Sequence, residues 1–307
     1  MKQFLKILFS FIFLFLGFFS SYSQDSTAVS DDEAAPKPRK EKGFQAGFFA
    51  GTYFANKYSS SLYDGYGLDA NGNKNEFIRS AMYTQIVVLN GGYYSGQPDR
   101  IAQALNVQPG EWSFTESDMP VNLKYGIAFM VGADLRYAFN KKSAIILNAN
   151  TAKLTVNGNF TIVTQTLNNG NAQPAQIKTF PLVGGEQRLL LQLGYQHILG
   201  DNDKMNFFVE GGVNVTMAKF IKNQINVNGL VMDLSNIYYS YNFSAYRTKY
   251  LTGVGIGGFA GLGANISIGN KWLMQLVYNP SYEYLKLGID PKHTLNHAFG
   301  VRGYYTF

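Results

Sequence analysis

The chain has 307 residues with 26 Lys plus Arg against 20 Asp plus Glu, and a formal charge of +6 is too mild to argue for a nucleic-acid partner. It contains no cysteine, which excludes disulfides, thiolate metal sites and a lipidated cysteine. Aromatic residues and charged residues each make up 15%, with 32 glycines, a balance that suits a barrel surface facing lipid better than a water-soluble domain.

Lys2 and Lys6 open the chain, Ile7 to Phe19 is apolar apart from Ser10 and Gly17, and small polar residues follow up to Ser23 and Gln24. The run is shorter than the roughly 20 residues of a membrane-spanning helix and reads as an export signal over 1–23. Losing its two lysines leaves 24 basic against 20 acidic residues, or +4. Residues 24–42 carry Asp31, Asp32 and Glu33, then Pro36 and Pro38 among Lys37, Arg39, Lys40 and Lys42. They lack the apolar residues that repay ordering entropy, so a disordered periplasmic linker is expected.

From Gly43 the pattern changes to period two, and eight strands are expected. They are Phe44–Phe54, Val121–Phe139, Ala144–Asn157, Glu186–Ile198, Met205–Lys219, Tyr250–Ile268, Trp272–Leu285 and a last strand ending at Phe307. Alternation in the second puts Leu123, Tyr125, Ile127, Phe129, Val131, Leu135 and Tyr137 on one face, with Asp134 and Arg136 on the other. In the last, His297, Phe299, Val301, Tyr305 and Phe307 share a face opposite Arg302. Each strand meets the ~9–11 residues that a tilted crossing requires.

The connections alternate in length. Ala55–Pro120, Gly158–Gly185 and Phe220–Lys249 are long, whereas Asn140–Ser143, Leu199–Lys204 and Gly269–Lys271 are tight. Short periplasmic turns and long outer loops mark barrels of bacterial outer membranes. The fold class expected is all-β: an eight-stranded antiparallel up-and-down transmembrane barrel over 43–307, with a long, partly helical first outer loop. A soluble lipocalin-like barrel would turn its apolar face inward; loop asymmetry and the aromatics at strand ends weigh against it.

On the export signal ending at Ser23–Gln24, the alternating strands and the terminal aromatic, the chain resembles outer-membrane β-barrel proteins common in Bacteroidetes, including the PorT-like group. The resemblance spans Phe44 to Phe307 and implies an outer-membrane location in a Gram-negative bacterium. It carries no catalytic motif.

Other motifs have structural explanations. Gly253, Gly255 and Gly258 match G-x-G-x-x-G, but a glycine-rich strand follows where a dinucleotide site needs a helix. His197, His293 and His297 have no metal-ligand spacing, and no serine sits in a nucleophile elbow. Neither catalytic residues nor a cofactor or metal site is expected. Asp134, Arg136, Arg188, Glu210 and Arg302 all face away from the apolar side. Eight strands enclose a space just wide enough for side chains, so these charges are expected to form a sealing lumen network. A narrow or gated pore is the alternative.

In the first loop, Phe77, Ile78, Ala81, Met82, Ile86 and Leu89 recur at helical spacing from Glu76 to Leu89. Pro98, Asp99, Ile101, Ala104 and Leu105 suggest a second short helix. Tyr93, Tyr94, Trp112 and Phe114 surround them, either as a lid on the barrel rim or as a docking surface for a protein or glycan. The expected molecule is a monomeric, non-catalytic barrel in contact with outer-membrane lipid, acting through its outer loops or periplasmic tail.

Overall fold

The computed structural model describes residues 42–69, 73–93, 98–168, 171–202, 204–235, 252–269, 271–287 and 292–307. The expected export signal, and all of the expected linker but Lys42, lie outside them. Eight long strands form the barrel. They are β1 (Gly43–Phe54), β2 (Ala128–Ala138), β3 (Ser143–Thr164), β4 (Gln176–Leu199), β5 (Met205–Val227), β6 (Thr252–Ile268), β7 (Trp272–Lys286) and β8 (Lys292–Thr306). Each pairs antiparallel with the next. The ring closes where β1 pairs with β8, from Gln45 opposite Thr306 to Phe54 opposite His297.

The alternation read from the sequence decides which side chains face out. On β2, Ala128, Met130, Asp134, Arg136 and Ala138 are buried while Phe129, Val131, Leu135 and Tyr137 are exposed. Around the ring Phe48, Leu147, Leu191, Val213, Ile256, Leu276 and Phe299 are likewise exposed. An apolar belt of this extent is stable only against lipid, so the chain is a transmembrane barrel of the outer-membrane kind. Aromatic girdles rim the belt. On the short-turn side Phe44 stacks on Phe307 and Trp272 meets Tyr305 edge-on; on the other, Tyr282 and Tyr284 pack on His293, and Tyr278 on His297. The three histidines serve in these ring contacts, with His197 stacked on Tyr195.

The second strand departs from expectation at its outer end. Val121–Tyr125 is a separate short strand on β3, and its register slips between Val121 and Lys124. Asn122 sits at φ 58° within the slip, in the left-handed region that asparagine tolerates. A second irregularity follows: Tyr125 lies opposite Val156 and Met130 opposite Ala152, five residues against four, so Leu123 and Tyr125 face inward where Ile127 faces out, correcting their assignment to its face.

Strands β3, β4 and β5 also run much further than expected, at 22, 24 and 23 residues. Most of Gly158–Gly185, and Phe220–Lys249 as far as Val227, therefore belongs to strands. The outward face changes chemistry partway along: Ile145 and Leu147 are followed by exposed Lys153, Thr155, Asn157 and Asn159. Val156, Phe160 and Ile162 stay buried on the inner face throughout. The strands leave the lipid and continue into water as a sheet with one apolar side.

The first loop covers that side. Ile86, Met82, Ile101, Leu105, Phe114 and Met119 form one core with Val156, Phe160, Phe180, Leu182, Phe220, Ile225 and Val227. The expected helix of Glu76–Leu89 is a series of turns, a 3-10 turn at Phe77–Arg79 and a helical segment from Ala81 to Leu89 that widens to π geometry at Thr84. Ser80 divides them, its hydroxyl accepting from the Tyr83 N–H. Helix α1 (Arg100–Leu105) is capped by Asp99, which accepts from the Ala102 N–H at 2.9 Å, so Asp99 precedes the helix and is not part of its first turn. Glu111 ties the loop to β3–β4 by accepting the N–H groups of Leu167 and Gln108, which hold its carboxyl below the usual carboxylate range.

The belt yields a direct test. Val131 points outward near mid-depth, and its neighbour Gly132 would push a Cβ to 2.4 Å from the Ala149 carbonyl oxygen. Val131→Arg should cost ~2–4 kcal/mol in lipid-vesicle unfolding titrations. Val131→Leu should be close to neutral; equal losses for both would contradict lipid contact at Val131.

Candidate functional site

The eight strands enclose buried polar groups in two tiers. The lower tier lies toward the short turns, where β8 presents Arg302, β5 Glu210, and β2 both Asp134 and Arg136. Arg302 donates from Nη1 and Nη2 to both Glu210 oxygens, at 2.7 and 2.9 Å, the fork geometry that makes arginine–carboxylate pairs strong. Asp134 Oδ2 lies 3.6 Å from Arg302 Nε. Arg136 donates to Gln45 Oε1 at 2.7 Å and to Gln196 Oε1 at 2.9 Å, and Gln196 in turn donates to Glu210. Two arginines and two carboxylates thus cancel formally within a few ångströms, as burial of full charge demands.

Arg188 does not join them, which corrects its inclusion in one network with the other four. It lies 11 residues from the short-turn end of β4 at Leu199 and anchors an upper tier with Glu186 and Glu283, both fully buried and neither singled out from the sequence. Arg188 Nε donates to Glu186 Oε1 at 2.6 Å, while its Nη1 sits 3.9 Å from Glu283 Oε1. Here two carboxylates face one arginine, and neutral donors supply what the cation lacks. Asn214 and Thr216 donate to Glu283 Oε2, Asn296 donates to its Oε1, and Tyr125 O–H donates to Glu186 at 2.7 Å. Glu186 and Glu283 are legible as inward positions of β4 and β7, sharing the alternation of Arg188 and of Gln275 and Asn279, although Glu186 stands at the expected strand boundary.

Between the tiers the lumen is packed by Phe49, Met130, Leu190 and Val277. Gln192 and Asn279 bond there at 3.1 Å, and Asn279 reaches down to Glu210 at 3.1 Å. A cavity of about 10 Å³ remains beside Asn150, Gln192 and Asn279. Such a space holds about one water molecule.

The upper tier is roofed by the first loop. Residues Lys57–Tyr63 form a 3-10 segment capped by Asn56. From it Ser59 accepts a bond from Arg188 Nη2 at 2.9 Å, and Tyr63 O–H donates to the Gly185 carbonyl at 3.1 Å. The Tyr63 ring stacks on Phe220 at 5.1 Å between centroids. It lies over Gly184, where an added Cβ would come within 2.3 Å of the ring, so glycine is what lets the tyrosine seat.

The outer-loop candidates separate. Phe114 is core, edge-on to Phe160, and Trp112 is half-buried beside β3, donating from Nε1 to Asp99. Neither is part of an exposed docking face, because their rings fill the space between the loop and the extended strands. Tyr93 is 73% exposed. Tyr94 lies outside the described residues. Among the described residues no group of three or more His, Asp or Glu is placed to hold a metal ion.

Two substitutions probe these sites. Removing Glu210 leaves Arg302 buried without its main partner, so Glu210→Ala should cost ~3–5 kcal/mol in vesicle unfolding, with little relief from added salt. Tyr63→Ala deletes a buried ring and should cost about 3–5 kcal/mol. That loss should appear as faster limited proteolysis of residues 55–120, with the lipid-embedded strands still protected.

No protein-family model matches the chain. No curated protein matches it either. Solved structures that resemble it are small outer-membrane barrels at low identity. Neisserial surface protein A aligns with 8% identity over 86% of this chain and 97% of its own, at a TM-score of 0.40. The attachment invasion locus protein Ail of Yersinia pestis, in complex with the heparin analogue sucrose octasulfate, aligns with 8% identity over 87% and 99%, at 0.36. The outer membrane protein OprG from Pseudomonas aeruginosa aligns with 13% identity over 88% and 99%, also at 0.36.

Proposed function

We propose that this chain is a non-catalytic, monomeric outer-membrane barrel that holds a folded outer domain at the cell surface and binds a protein or glycan partner through it. The filled lumen carries this reading. Charges that could line an ion path bond one another in two tiers, apolar side chains separate them, and Tyr63 closes the outer end. A sealed barrel serves as an anchor, which leaves the outward parts of the molecule to meet a partner. The PorT-like grouping inferred from the sequence fits an anchor of this kind, and the periplasmic tail is the second place where a partner would act.

Supporting the outer domain as the business end, its interior is a closed core while Ile78, Tyr93, Ile177 and Val231 remain exposed on it, well above the belt. Deleting the first loop outright would strip the cover from Phe160, Phe180 and Phe220, so single surface changes are the cleaner probe. In planar bilayers the unmutated protein should show no steady channels; large steady conductance would establish the pore reading instead. Cross-linking on intact cells should recover the same partner from wild type and from a tail-deleted chain, and lose it with Ile78→Asp combined with Tyr93→Ser. Loss on tail deletion alone would move the function to the periplasm.

A further inference from the structure

The upper edge of the belt is not the same all round. On β7 and β8 it carries aromatics, with Tyr282, Tyr284 and His293 packed together and one lysine, Lys286, set over the Tyr284 ring. On β3 to β5 it ends in lysines. Lys153 of β3 pairs with Gln187 of β4, which pairs with Lys219 of β5, which pairs with Thr252 of β6. Two residues below on each strand, toward the lipid, the corresponding rung is Thr151, Leu189, Met217 and Val254. From Phe207 to Met217 β5 spends 11 residues in the belt, close to the ~9–11 of a full crossing, so Lys219 stands at the outer lipid boundary.

A third lysine joins them through an irregularity. Lys219 and Lys222 are three apart, and unbroken alternation would point one of them into the lumen. The pairing of β4 with β5 shifts between Gly185 and Glu186, so that Phe220 lies opposite Glu186 and Lys222 opposite Gly185. Ile221 is the extra residue of this bulge, and both lysines emerge on the outer face. Gly185 makes room: a Cβ there would lie 3.0 Å from Lys222 Cγ. Lys153, Lys219 and Lys222 are all exposed. Lys153 and Lys219 are two strands apart, roughly 10 Å at the usual strand spacing. The carboxylate that follows on this face, Asp233, is one step further out, opposite Gln224.

We propose that Lys153, Lys219 and Lys222 form a headgroup site for a phosphate-bearing lipid of the outer leaflet, whose acyl chains lie on Leu189, Leu191 and Met217. Ammonium groups at the boundary complement phosphate, Gln187 between them supplies an uncharged donor, and the aliphatic rung below accepts the chains. An anion free in solution would have no use for that rung. The inference rests on the transmembrane reading of the belt.

The full barrel should be refolded into phosphatidylcholine vesicles containing either bis-phosphorylated lipid A or the same lipid without phosphates, and the lipid kept after detergent extraction counted by native mass spectrometry. Wild type should retain the phosphorylated form selectively. A near-surface lysine contributes about fivefold to such attraction, so Lys153→Gln, Lys219→Gln and Lys222→Gln together should weaken retention on the order of a hundredfold. Lys204→Gln, at the opposite end of β5, should leave it unchanged. Equal retention of both lipid forms, an unaffected triple variant, or complete displacement by inorganic phosphate would overturn the proposal. Insertion into pure phosphatidylcholine, followed by heat-dependent gel mobility, tests the belt separately: a barrel that inserts there but ignores phosphate keeps the belt and loses the lysine site.

Discussion

Hydrocarbon offers a backbone no hydrogen-bond partner, so each N–H and carbonyl at membrane depth must be bonded within the ring of strands. The pairing of β1 with β8 completes that ring, and the composition of the lumen follows from it. Eight tilted strands enclose a space that side chains just fill. Any charge placed there is dehydrated and has to be cancelled at hydrogen-bond distance. The Arg302–Glu210 fork and the Arg188–Glu186 pair are the two local solutions.

The tiers meet this demand differently. In the lower one the formal charges balance, amides from Gln45, Gln196 and Asn279 bond Arg136 and Glu210, and Arg302 Nε and Asp134 Oδ2 face each other at 3.6 Å. The upper one is short of a cation, so Glu283 is surrounded by neutral donors from β5 and β8. It also recruits Ser59 and Tyr63 from the first loop. The outer domain is therefore joined to the lumen by polar bonds as well as to the extended strands by apolar packing.

Much of the barrel was legible because strand periodicity is a strict code: one step in Ile127–Tyr137 separates lipid from lumen, and the exposures follow it residue by residue. The code breaks between Tyr125 and Met130, where the chain carries one residue more than the β3 stretch it lies against, a three-dimensional event with only Gly126 as a local hint. It also failed to carry β3 past Asn157. There the outward residues turn polar because water replaces lipid, and a strand with a polar outer face has the composition of a loop. The alternation of β4 carries the inward direction of Arg188 but not its depth, which depends on shear between strands. Phe114 and Trp112 could be recognised as aromatic without any sign that a sheet would rise to cover them.

Because β3 and β4 pass from bilayer to water with unbroken pairing, and β5 stays paired to β4 through a single bulge, the outer domain is joined to the barrel by continuous strands. Ten residues beyond the belt, Thr155 to Thr164, span roughly 33 Å along the strand at 3.3 Å per residue. Whatever surface they carry is held at a set height and attitude above the lipid, turning only as the whole barrel turns. A partner therefore meets a mast and not a tether: it gains nothing from a flexible search, but the orientation it needs is already supplied before it arrives.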